Sequence, residues 1–147
     1  MSIFSMLETS GSAMAAQRQR AEVVAANMAN ADTTRTPDGG PYHRKEVVFA
    51  SSGNSPFRLL LAGFKRLAGR SVPAVRVARI VNDPAPPVMR YEPSHPDADK
   101  NGYVAYPNIN PIEEMVDLMG AVRSYELNAS AMNASKQMIQ GAMDILK

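Results

Sequence analysis

The sequence predicts a mainly α-helical chain with a small β part. Long N- and C-terminal helices pack on each other as a coiled-coil-like pair, joined by a short middle segment rich in β-hairpins. Three observations carry that prediction. All eleven prolines fall between Pro37 and Pro111, nine of the ten methionines fall in residues 1–28 or 115–143, and apolar residues near both ends recur at alternating spacings of three and four. Proline lacks an amide hydrogen and clashes with the preceding helical turn, whereas alanine and methionine are good helix formers. The chain therefore divides into an N-terminal helical arm over 1–32, a proline-rich β segment over 33–110 and a C-terminal helical arm over 111–147. The two arms together form one helical core domain.

In the N-terminal arm, Leu7, Met14, Ala21 and Met28 are spaced by sevens, with Val24 and Ala31 on the adjoining positions. Eight alanines in the first 31 residues make a narrow helix that a partner can approach closely. The helix should stop before Asp32-Thr33-Thr34-Arg35-Thr36-Pro37. In the middle, Lys45–Phe49 and Ala74–Asn82 read as strands from their β-branched and aromatic content. Asp83-Pro84-Ala85-Pro86-Pro87 then turns the chain into Val88–Tyr91, and Gly102–Tyr106 is a further strand. Strands this few and short form hairpins rather than an independent core. Ser55-Pro56, followed by Phe57, Leu60, Leu61, Phe64 and Leu67, predicts a short amphipathic helix over 56–68.

The C-terminal arm is the clearest element. Asn110-Pro111-Ile112-Glu113 reads as an N-cap, a proline at the first helical position and a glutamate able to bond back to the cap. Glu113, Glu114 and Asp117 suit the positive end of the helix dipole, and Lys147 suits the other end. Met115, Leu118, Val122, Tyr125, Ala129, Met132, Ile139, Met143 and Leu146 then follow a heptad seam that only Lys136 interrupts. The middle segment is too short and too rich in proline to bury two long helices. The arms are expected to pack on each other and, through this seam, on neighbouring subunits. Asn27, Asn30, Asn128 and Asn133 are candidates for fixing register between helices.

Composition narrows the function. The 147 residues fit one domain with helical arms, and no run approaches the ~20 apolar residues that span a bilayer. The N-terminus has neither the basic stretch nor the apolar core of a Sec-type signal peptide. With no cysteine, disulfides, thiolate metal sites and cysteine nucleophiles are excluded. The net charge of +2 does not by itself point to a polyanion. Its distribution is uneven, with seven Arg or Lys against Asp83 alone in 58–90, and three basic against five acidic groups in 111–147.

Few constellations suggest chemistry. Asp97-Ala-Asp99-Lys-Asn101-Gly102 matches the first half of a calcium loop, but the twelfth position is Asn108 rather than glutamate, and prolines at 93, 96 and 107 exclude flanking helices. A turn held by local hydrogen bonds is the simpler reading. His43 and His95 have no metal-ligand spacing to each other, and His95 beside Asp97 or Asp99 reads as a surface turn rather than an acid–base pair. No phosphate loop, nucleophile elbow or paired catalytic carboxylates appear, so the expectation is a protein that is not an enzyme and has no cofactor, metal or small-molecule substrate. A basic amphipathic helix can lie on an anionic membrane, and the basic 57–79 segment gives the alternative of a soluble coiled-coil adaptor on a membrane surface or nucleic acid. No nucleic-acid fold signature accompanies it.

Several strings carry a family resemblance. Val24-Ala-Ala-Asn27-Met28-Ala29-Asn30-Ala31-Asp32-Thr33 resembles the N-terminal signature of the bacterial flagellar rod and hook axial proteins. Within that family, Thr33 to Tyr42 (with Gly39, Gly40 and Pro41), Arg44 to Phe49, His95-Pro96-Asp97-Ala98-Asp99, Gly102-Tyr103-Val104-Ala105 and Asn108 to Met115 (with Asn110, Pro111 and Glu113) are similar to the proximal-rod members. Residues 51–73 match none of these strings. The resemblance implies terminal helices packed as an antiparallel pair, in a structural subunit of the basal-body rod that self-assembles through them into the periplasm-spanning drive shaft. It implies export by the flagellar type III apparatus without a cleaved signal peptide. The implied partners are other proximal and distal rod proteins, the rod–ring adaptor and inner-membrane ring and the export apparatus, in a higher-order homo- and hetero-oligomer. Nucleic acid is not among them. Arms of this kind are expected to order on docking, folding and binding being coupled.

Overall fold

The computed structural model describes residues 3–52 and 74–145. Their elements run in the order α1 (Ile3–Ala29), β1 (Lys45–Ser52), β2 (Ala74–Asn82), β3 (Val88–Tyr91), β4 (Tyr103–Tyr106) and α2 (Pro111–Ile145). About half of the described residues are helix and a fifth are strand, in the arrangement that the proline distribution predicts. The predicted helix over 56–68, Leu146 and Lys147 lie outside the described residues.

The two long helices run antiparallel. Ser135 Oγ donates to Met6 Sδ at 3.2 Å near one end, Arg20 Nη2 meets Asp117 Oδ1 at 3.1 Å, and Asn27 Nδ2 meets Glu114 Oε2 at 3.0 Å near the other. At about 1.5 Å per residue, the 35 residues of α2 span about 52 Å. It begins where the cap predicts. Asn110 Oδ1 accepts the amide hydrogen of Ile112 at 3.1 Å, and the Asn110 side-chain amide donates to Glu113 Oε1 at 3.1 Å.

Helix α1 ends in a tightening turn. Asn30 N–H bonds to the carbonyls of both Ala26 and Asn27, and Thr33 N–H bonds back to Asn30. The loop that follows folds on itself, with Thr36 N–H on the Gly40 carbonyl at 2.8 Å and Tyr42 N–H on that of Thr33 at 3.0 Å. Gly39 and Gly40 take φ of +89° and +78° in this loop, where a side chain would be strained.

Among the described residues, the middle contains two separate antiparallel hairpins rather than one sheet. Strands β1 and β2 pair from Lys45↔Asn82 to Ser52↔Ala74, with a bulge on β2 between the partners of Val48 and Phe49. This hairpin packs on α1, and Val75 N–H donates to Ser12 Oγ at 3.1 Å. Strands β3 and β4 pair from Val88↔Tyr106 to Tyr91↔Tyr103. Their inner face buries Val104 and Tyr106, whose hydroxyl donates to Glu92 Oε2 at 2.9 Å. Gly102 closes the ribbon at φ +82°. A Cβ there would lie 2.9 Å from Tyr91 Cε2 and 3.2 Å from Pro93 Cβ, so a side chain meets both strain and a clash.

Candidate assembly surface

The buried apolar core among the described residues is small: Ala16, Val24, Val104, Tyr106 and Ala121. The side of α2 that faces α1 explains why. Glu114, Ala121 and Ser135 are buried there, and Asn128 completes the same line of sevens, half-buried. The opposite side carries large apolar residues. Ile112 is 73% exposed, Val116 and Met119 59% each, and Leu127 64%. At 100° per residue, Ile112, Val116 and Met119 lie within one narrow stripe about half a turn from Glu114 and Ala121.

The predicted seam falls between these faces. Leu118, Ala129, Met132 and Ile139 are half-buried, whereas Met115, Val122, Tyr125 and Met143 remain exposed. In α1, Val24 is buried and Leu7, Met14, Ala21 and Met28 are half-buried. The sequence reading followed one stripe on α2 and missed the second, which Ile112, Val116, Met119 and Leu127 make. The signal was present in their own spacing of four, three and eight.

A polar junction ties the start of α2 to the rest of the chain. Glu114, read from sequence as a charge suited to the helix dipole, is only 1% exposed. Its Oε1 accepts from Arg44 Nε at 2.6 Å and its Oε2 from Asn27 Nδ2 at 3.0 Å. Asn27 is fully buried and makes all four bonds that a primary amide can make. Besides Glu114, its Nδ2 donates to the Lys45 carbonyl at 2.9 Å. Its Oδ1 accepts from Lys45 N–H at 2.9 Å and from the Tyr42 hydroxyl at 3.1 Å. Arg44 Nη1 also meets the carboxylate of Glu46 and, at 3.8 Å, that of Asp83. Burial, reinforced by the charge of Glu114, raises the Tyr42 phenol above its ordinary pKa. For Arg44, burial alone would lower the pKa; the bonds and charges of Glu114 and Glu46 outweigh it and the net shift is upward.

The family model described as "Flagella basal body rod protein" matches residues 7–35, and that described as "Flagellar basal body rod FlgEFG protein C-terminal" matches residues 100–145. The flagellar basal-body rod protein FlgC of Bacillus subtilis is 42% identical over 151 residues, covering 100% of both chains. That of Borreliella burgdorferi is 40% identical over 160 residues, covering 100% of this chain and 99% of its own. That of Salmonella typhimurium is 39% identical over 139 residues, covering 95% and 94%. The chain belongs to the FlgC family of flagellar basal-body rod proteins.

The signature residues that carried the resemblance to FlgC fall into four places. Asn27 and Tyr42 build the buried junction. Ala29, Asn30, Thr33, Gly39, Gly40 and Pro41 shape the exit from α1; Asn30 Nδ2 bonds to Ala26 and its Oδ1 accepts from Thr33 Oγ1 at 3.2 Å. His95, Pro96, Asp97, Asp99, Gly102 and Tyr103 form the turns at the end of the β3–β4 ribbon. Asn110, Pro111 and Glu113 start α2. Of the four asparagines considered for register, only Asn27 bonds between the two helices in the chain; Asn128 bonds to Ser124 in its own helix, and Asn133 is exposed.

The ribbon turns are held by local bonds. Asp97 Oδ2 accepts from Thr34 Oγ1 at 2.8 Å and its Oδ1 lies 3.7 Å from Arg35 Nη1, which anchors the ribbon to the α1 exit. Asp99 Oδ1 accepts the amides of Asn101 and Tyr103. His95 Nδ1 accepts the Asp97 amide at 3.1 Å, so the imidazole nitrogen nearest to Asp97 is engaged by backbone and not by its carboxylate. The Tyr106 phenol is raised above its ordinary pKa, first by its bond to Glu92.

Proposed function

We propose that the chain is a proximal-rod subunit that self-assembles through its terminal helices, the outer face of α2 being the surface that neighbouring subunits cover. The observation that supports this reading is the placement of Ile112, Val116, Met119 and Leu127 on the side of α2 away from α1. Large apolar side chains that a single chain leaves in water become a source of free energy when a second helix covers them. Each contributes on the order of 1.5–3 kcal/mol when fully buried. Of the predicted seam residues, Met115 and Val122 flank this face, and Tyr125 and Met143 are exposed nearer the α1 side. The polar face toward α1 gives the isolated pair little of that stabilisation, which is the physical basis for arms that order on docking.

The further parts of the proposal rest on family membership. The subunit leaves the cytoplasm through the flagellar type III apparatus without a cleaved signal peptide. It joins the inner-membrane ring and rod–ring adaptor to the more distal rod across the periplasm. Its role is mechanical and not enzymatic. No helix among the described residues is long and apolar enough to cross a membrane.

The test is deletion of the gene, imaging of isolated basal bodies and scoring of swimming. Rings without a completed rod or hook are expected, restored by the intact gene but not by one lacking residues 111–147. Complete flagella in the deletion strain would overturn the reading. Salt-sensitive lipid or nucleic-acid binding by the purified chain would then favour the adaptor built on 57–79.

A further inference from the structure

Among the described residues, side-chain hydrogen bonds join hairpin β1–β2 to the helices near both of its ends, and those near the Lys45/Asn82 end reach α2. At the Ser52/Ala74 end, Val75 N–H bonds to Ser12 on α1. At the Lys45/Asn82 end, the attachment is the junction of Asn27, Arg44 and Glu114, drawn from α1, the start of the hairpin and α2. Every bond of the Asn27 side chain goes to a residue outside α1. Glu114 is buried against one cation and one amide, both from other segments. A buried carboxylate is tolerated only with such partners, and a buried amide loses stability when one is removed. The three groups are thus favourable together and unfavourable in any pair.

We infer that this junction is a coincidence latch. The Lys45/Asn82 end of the hairpin seats on the helices only when α1 and α2 are paired, and the first turns of α2 hold their rotational setting only when the hairpin is seated. Arg44 carries the coupling into both strands, because its guanidinium meets Glu46 on β1 and Asp83 just after β2, and its carbonyl accepts the Asp83 amide at 2.8 Å. The latch also fixes the direction of the outer apolar face, since Glu114 lies between Ile112 and Met115 on the same turn. The inference stands on contacts within one chain and does not depend on what covers that face.

The test is site-resolved amide hydrogen exchange on the full chain, in trimethylamine N-oxide to favour the compact state. Glu114→Ala is expected to speed exchange about tenfold or more at residues 45–48, 80–83 and 115–118. Val75 and residues 103–106 should change by less than about twofold. Arg44→Met is expected to loosen 115–118 reciprocally, although residue 44 does not belong to α2. Glu114→Gln, which keeps the side-chain shape, should give the same pattern at smaller amplitude and serves if the alanine variant does not fold. Uniform acceleration over every element in the glutamine variant, Val75 included, would overturn the latch. So would helices that loosen while 45–48 and 80–83 keep their wild-type rates.

Discussion

The face of α2 toward α1 carries Glu114, Ala121, Asn128 and Ser135, whereas the opposite face carries Ile112, Val116, Met119 and Leu127. A helix pair that had to be stable alone would have the reverse arrangement, because burial of large apolar side chains is the main favourable term in folding. Small residues on the inner face allow close approach, and polar ones set position through specific partners, as Glu114 and Asn27 do. They contribute little apolar burial. The difference separates two tasks along one helix: the inner face specifies how the chain's own segments meet, and the outer face supplies affinity for something else.

The largest expected effect breaks this comparison on the outer side. Val116→Asp with Met119→Asp should abolish rod completion and swimming in a complemented deletion strain, while the purified chain keeps its wild-type helix content by circular dichroism. Swimming cells carrying the double variant would show that the outer face is not an assembly surface. On the inner side, Gln17 offers the sharper probe. It lies seven residues from both Ser10 and Val24, which are buried, and among the described residues its Oε1 is a buried acceptor without a donor. Gln17→Leu should therefore stabilise the chain by about 1–2 kcal/mol in urea unfolding. A loss of stability would mean that the inner face depends on that polar group.

Asn110→Ala should cost about 1 kcal/mol by removing the bond to the Ile112 amide. The loss should appear as faster exchange in the first turn of α2, leaving the outer stripe in place. The smallest effect is alkaline. Folding raises the Tyr42 phenol above its ordinary value, so the unfolded chain loses this proton first. The resulting stability is complete below about pH 10 and declines as pH rises through the folded value. Tyr42→Phe should remove its share of that decline in a pH series of melting temperatures. An unchanged alkaline slope would place Tyr42 outside the inner junction's electrostatics.

Much of this architecture is legible in the residues one after another. Proline position sets the limits of both helices, and Asn110-Pro111 marks the start of α2 because capping is a local interaction. The strands at 45, 74, 88 and 103 follow from β-branched and aromatic runs between turn residues. The two glycines with positive φ at 39 and 40 stand where the chain must reverse. What escaped was non-local. Glu114 resembles its neighbour Glu113 in every sequence property, yet one is buried beneath Arg44 and the other caps a helix at the surface. Arg44 was one more basic residue before a strand. The second stripe of α2 was hidden because a search for one heptad seam assigns each helix a single apolar face.

Element types, their order and the start of α2 follow from propensity, capping and turn chemistry within a few residues, whereas β1 runs past its expected end at Phe49 to Ser52. Tertiary structure decided which face of α2 meets α1, which glutamate lies inside and where the hairpin is fastened. Those outcomes depend on residues 70 and 87 positions apart in the chain meeting at Glu114. Burial is set by that meeting, and no local pattern contains it.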